Sequence, residues 1–175
     1  MQFTKIIHLS DIHIRQHQRH QEYRQVFQRL YQEIRQRQEG AIVVVTGDVL
    51  HSKTQLSPEC IQVTREFFDN LAEICPTVVI AGNHDANLTN KDRLDALTPI
   101  LQESSSNLHY FKDTGIYNLG NLSFAVISVF DETFPDIRQH PKGKLKIALY
   151  HGQLDGAKTD IGYRISSGVL PTKFA

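Results

Sequence analysis

The sequence predicts an α/β fold of two sheets, a parallel one in the first half of the chain and a more antiparallel one in the second. Three observations carry this. Short β-branched runs alternate with helix-period segments as far as residue 80, strand signals replace that alternation beyond a serine run at 104–106, and 40% hydrophobic with 22% charged residues over 175 positions suits one soluble domain with a buried core.

Each element has its own justification. Phe3 to Leu9 and Ala41 to Thr46 are apolar, β-branched runs bounded by polar turn residues, and Thr77 to Ile80 repeats the pattern, as strands buried on both faces do. Between the first two, Tyr23, Val26, Phe27, Leu30, Tyr31 and Ile34 recur at helical spacing, and Gly40 supplies a stop. Between the second and third, Ser57-Pro58 makes an N-cap and first-turn pair. Ile61, Phe67, Phe68, Leu71 and Ile74 then form an apolar face until Pro76 ends the helix. A third helix is expected over Asp92 to Gln102, on Leu94, Leu97 and Leu101. Beyond Ser104-Ser105-Ser106, Ile116 to Leu119 and Leu122 to Val129 flank Gly120-Asn121 as a hairpin, and Lys144 to Tyr150 alternates Leu145, Ile147 and Leu149.

Composition excludes several classes. Lys and Arg number 19 and so do Asp and Glu, so net charge names no partner. No apolar run reaches the ~20 residues that cross a bilayer, and the start MQFTKIIHLSDIH lacks the layout of a secretory signal, so no membrane role and an intracellular address are expected. Cys60 and Cys75 are too few for a disulfide scaffold or a cysteine zinc site. Between Arg15 and Gln38 six arginines face two glutamates, which suits either contact with DNA phosphates or an ordinary solvated face.

Nine histidines stand out, and their positions matter more than their number. Asp11 and His13 follow the first strand, Gly47-Asp48 the second, Gly82-Asn83-His84-Asp85 the third, and His151-Gly152 the alternating strand. In a parallel sheet the carboxyl ends of neighbouring strands form one crevice, so these four loops are expected to meet around metal. A set of carboxylate, amide and imidazole without thiolate suits Mn²⁺, Fe²⁺ or Zn²⁺, and its size exceeds the needs of one ion. Two ions ~3.5–4 Å apart need an anionic bridge, assigned to Asp48, and such a pair acidifies water and stabilises in-line displacement at phosphorus. His84, next to Asn83, is placed to supply the leaving oxygen with a proton or a hydrogen bond, as general acid or transition-state stabiliser. His8, His109 and His140 are read as structural or surface residues, and His17 and His20 as solvated loop residues.

The order DIH, GDVLH, GNHD and HG resembles the calcineurin-like metallophosphoesterases over nearly the whole chain. GDVLHSKTQLSPE is similar, more narrowly, to the DNA double-strand-break repair nucleases of that superfamily, bacterial SbcD and its archaeal and eukaryotic counterparts. The resemblance implies an α-β-β-α sandwich with helices on the outer faces. It implies Asp11, His13, Asp48, Asn83 and His151 as metal ligands, two Mn²⁺ ions, His84 as the catalytic residue, and His51 as the residue that positions the DNA phosphate. Asp85 is implied as a support for the ligands. The expected activity is exonuclease and endonuclease hydrolysis of DNA in repair and recombination, by a homodimer working with an SMC-like ATPase related to SbcC. Alternatives are another calcineurin-like phosphatase or phosphodiesterase, or a catalytically incomplete DNA-binding or assembly module. The family closes its site with a GHxH-like or GDIH-like element, and none follows His151, so a chain truncated before that last motif is expected, with each metal short of one histidine.

Overall fold

The computed structural model describes residues 1–16, 19–88, 94–102, 105–131 and 133–174. Four parallel strands, β1 (Lys5–Leu9), β2 (Ala41–Thr46), β3 (Thr77–Ile80) and β4 (Leu108–Tyr110), form the first sheet in sequence order. A second sheet joins β5 (Gly115–Leu119), β6 (Leu122–Ile127) and β7 (Leu145–Tyr150). The helices are α1 (His20–Arg37), α2 (Pro58–Ile74) and α3 (Leu97–Leu101).

Alternation along the strands of the first sheet sorts the core into two layers. Val43, Val45 and Val79 point to one side, where Phe27, Tyr31 and Ile34 of α1, Phe67, Phe68 and Leu71 of α2, and Leu97 and Ile100 of α3 cover them. Ile42, Val44, Val78 and Ile80 point to the other side and pack on Leu122, Phe124, Val126 and Leu149 of the second sheet. The result is the two-sheet α/β sandwich that the sequence predicts, with these three helices on the outer face of the parallel sheet.

Several element boundaries differ from expectation. The first strand begins at Lys5 because Phe3 is held instead by Asn121, whose side chain both accepts from the Phe3 N–H (2.7 Å) and donates to its carbonyl (3.0 Å). In the apolar faces, Val26 and Ile61 lie at the solvent edge, 57% and 41% exposed. The third helix starts only at Leu97, since the Asp95 carboxylate caps it by accepting from the backbone N–H of Leu97 and Thr98. Leu94 precedes that cap and is 70% exposed, and Asp92 lies outside the described residues. The hairpin strand stops at Ile127 because Ser128 turns its N–H to the Thr114 hydroxyl. β4 went unpredicted: three residues, Leu108 to Tyr110, carry no period of their own and are recruited by pairing with β3. The second sheet is mixed, since β5 runs antiparallel to β6 while β7 runs parallel to it after the long connection over 128–144.

Candidate metal centre

The loops after β1 and β2 stay paired beyond the strands. Asp11 N–H donates to the Gly47 carbonyl (3.1 Å), His13 N–H to Asp48 (3.0 Å) and Ile14 N–H to Val49 (2.8 Å). This extension requires left-handed backbone at Asp11 (φ 56°), His13 (φ 50°) and Asp48 (φ 51°). Arg19 is the only other non-glycine residue with positive φ among the described residues. Such backbone is disfavoured for a residue with a Cβ and concentrates at functional sites, and here it falls on the residues the motifs single out. The loop after β3 is tied in by Asp85, whose buried carboxylate accepts from the N–H groups of Gly82 (2.9 Å), Leu50 (2.9 Å) and Val49 (3.2 Å). Burial pushes the Asp85 carboxyl up to about 6, against those three hydrogen bonds and with help from the nearby Asp48 charge.

Asp48 is the centre of the arrangement and only 5% exposed. His13 Nε2 stands 3.7 Å from its Oδ2 and 3.9 Å from Asp11 Oδ1. On the other side, His151 Nε2 lies 3.4 Å from Asp48 Oδ1 and 3.2 Å from Asn83 Oδ1. His151 Nδ1 donates to the Thr46 carbonyl (2.7 Å), which leaves the lone pair of the neutral ring on Nε2, aimed at two oxygens. The backbone N–H of His84 donates to Asp48 Oδ1 (2.9 Å), and its Nδ1 donates to the His51 carbonyl (2.8 Å). His84 meets His13 edge to face, with ring centroids 4.8 Å apart, and lies beside the His51 ring at 6.0 Å. Partial desolvation, with the charges of Arg15, His13 and His84, lowers the pKa of His51.

All seven site residues named from the sequence therefore lie in one crevice: Asp11, His13, Asp48, His51, Asn83, His84 and His151. A hollow of about 300 Å³ lined by His51, Ser52, Lys53, Thr54, Asn83 and His84 opens beside them. The other histidines stay out of it. His8 bonds Thr46 Oγ1 (2.8 Å) on the edge strand β1, His140 bonds Ser123 Oγ (2.7 Å), His109 sits in β4, and His20 bonds the Arg15 carbonyl (2.6 Å). His17 lies outside the described residues. Sequence reasoning missed two supports: the Thr46 carbonyl and the Tyr23 hydroxyl, which donates to the His13 carbonyl (2.7 Å). A tyrosine among the core-spaced aromatics of α1 was the available signal, because a partly buried phenol needs an acceptor.

Comparison with protein families matches residues 4–167 to the calcineurin-like phosphoesterase model. The chain belongs to the calcineurin-like phosphoesterase family. Among similar proteins, "Uncharacterized protein R555" of Acanthamoeba polyphaga mimivirus is 45% identical over 178 residues, covering 94% of this chain and 13% of that protein. "Putative phosphoesterase 244L" of Invertebrate iridescent virus 6 is 28% identical over 91 residues, covering 49% of this chain and 30% of that protein. The chain thus spans under a third of either relative.

Calcineurin-like phosphoesterases use divalent metals to hydrolyse phosphoesters, and the residues present fit such ions. Asp48 is a buried carboxylate that no lysine or arginine of the described residues pairs, with the His13 and His151 imidazoles within 4 Å of its two oxygens and the Asn83 amide oxygen beside His151. Carboxylate, imidazole and amide groups gathered in this way are a donor set of the kind divalent ions take. Asp11, His13 and Asp48 alone place three ligand atoms within 4.8 Å of one another.

Proposed function

We propose that this calcineurin-like phosphoesterase is a DNA phosphodiesterase of the double-strand-break repair type, using two divalent ions, Mn²⁺ in preference. Asp11, His13, Asp48, Asn83 and His151 would hold the ions, with Asp48 shared between them. The single observation behind this assignment is the two-sided environment of Asp48, with His13 Nε2 3.7 Å from Oδ2 and His151 Nε2 3.4 Å from Oδ1. When bound, the ions supply charge neutralisation at the phosphate and a lowered water pKa.

The remaining work falls to the chain. Thr46 fixes the His151 ring so that Nε2 rather than Nδ1 faces the crevice. His84 in its protonated form keeps one N–H on the His51 carbonyl and presents the Nε2 proton to the leaving oxygen. His51, exposed at the rim beside Lys53, orients a non-bridging phosphate oxygen. The narrower nuclease reading is supported by the resemblance of GDVLHSKTQLSPE, and it makes DNA the substrate, a homodimer the assembly and an SMC-like ATPase the partner.

The test compares linear DNA, an aryl phosphodiester and an aryl phosphomonoester side by side with Mn²⁺. DNA and diester cleavage above monoester cleavage is expected, with loss on chelation. Preference for the monoester would remove the nuclease assignment in favour of a phosphatase. Equal DNA cleavage by parent and His84→Ala would show that the activity comes from elsewhere.

A further inference from the structure

We propose that His13, His51 and His84 form a second cation site, selective for nitrogen-preferring ions such as Cu²⁺, that competes with the carboxylate centre for His13. Three loops bring the rings together: that after β1 carries His13, that after β2 carries His51, and that after β3 carries His84. One nitrogen from each lies within 4.8 Å of the other two. The centroid separations are 4.8 Å for His13 and His84, 5.6 Å for His13 and His51, and 6.0 Å for His51 and His84.

The rings are open to this use. His84 spends Nδ1 on the His51 carbonyl, so the neutral ring carries its lone pair on Nε2. The His51 ring is exposed and takes no hydrogen bond from the described residues, so it reorients by ordinary rotamer change. His13 Nδ1 is buried without a hydrogen-bond partner among the described residues. Donor chemistry then separates two overlapping sets. Asp11, His13 and Asp48 offer two carboxylates and one imidazole, which suits Mn²⁺, whereas three imidazoles suit Cu²⁺, Ni²⁺ and Zn²⁺. An ion on the three rings immobilises His84 and His51 and withdraws His13, and is therefore inhibitory. That consequence rests on the roles proposed above, while the site itself does not.

The experiment adds one equivalent of Cu²⁺ to the full chain and reads nitrogen hyperfine structure by electron paramagnetic resonance, with affinity from competition against a chelator. The parent is expected to show three equatorial nitrogens. His51→Ala, on an exposed loop and checked for folding by circular dichroism, should lose one nitrogen and bind Cu²⁺ about tenfold or more weakly. His20→Ala should match the parent. Identical spectra and affinities for parent and His51→Ala would overturn the proposal, as would an oxygen-dominated spectrum in the parent. These readouts need no turnover, so an inactive parent with a three-nitrogen spectrum would count against the nuclease reading alone.

Discussion

Asp48 has no freedom to relax. It sits at φ 51°, its Oδ1 accepts from His84 N–H, and a Cβ on Gly82 would lie 2.1 Å from that same oxygen. Gly82→Ala is therefore expected to displace the carboxylate and weaken Mn²⁺ binding by about 10–100-fold, read by calorimetric titration. An unchanged isotherm would mean that Asp48 is not the hub. By the same logic Asp48→Ala should weaken both ions and His13→Ala mainly one, so equal losses in the two variants would remove the bridge. His84→Ala separates chemistry from binding, because the contact to Asp48 runs through the backbone N–H and survives the change. Turnover is expected to fall about 10²–10⁴-fold with metal affinity retained.

At the scale of elements, the crevice exists because Asp85 ties the loop after β3 to that after β2. Asp85→Ala leaves three buried N–H groups without their acceptor and should cost about 3 kcal/mol or more of stability, measured by denaturant unfolding. The same residue gives a pH signature in the metal-free chain. Its folded pKa of about 6 exceeds the ordinary carboxylate value of 3.8, so the proton is favoured in the fold. The associated stability is full below about pH 4 and is lost as pH rises through about 6. Asp85→Asn should flatten that fall, and parallel stability–pH curves from pH 4 to 7 would refute the assignment. The first-turn pair Ser57-Pro58 was readable because a helix start is local chemistry, and the Ser57 hydroxyl does accept from Cys60 N–H (3.2 Å). The Asp95 cap was not, because its carboxylate is held partly from a distance, by Lys112 (2.9 Å) and Tyr110 (3.1 Å).

Across the whole molecule, the core under the helices turns on Phe67, which is fully buried with its ring 4.5 Å from that of Phe27. Phe67→Ala should lower stability by about 3–5 kcal/mol, seen as a fall in Tm, while Mn²⁺ affinity below the transition stays near that of the parent. The parallel sheet was legible because Ala41–Thr46 and Thr77–Ile80 are buried on both faces and read as continuous apolar runs. The parallel pairing of β7 with β6 was not, because alternation tells which face is buried and says nothing of strand direction. Three of the four motifs were legible for a simple reason: a parallel sheet delivers the ends of β1, β2 and β3 to one side, whereas His151 arrives from β7 of the second sheet and joins them through the packing of one sheet on the other. Left-handed backbone at Asp11, His13 and Asp48 has an evolutionary corollary. Glycine at any of the three would relieve backbone strain while deleting a ligand, so heat resistance and cation binding pull these positions in opposite directions. A library selected for thermal survival alone should accumulate glycine there and drift toward a sturdier, metal-blind scaffold.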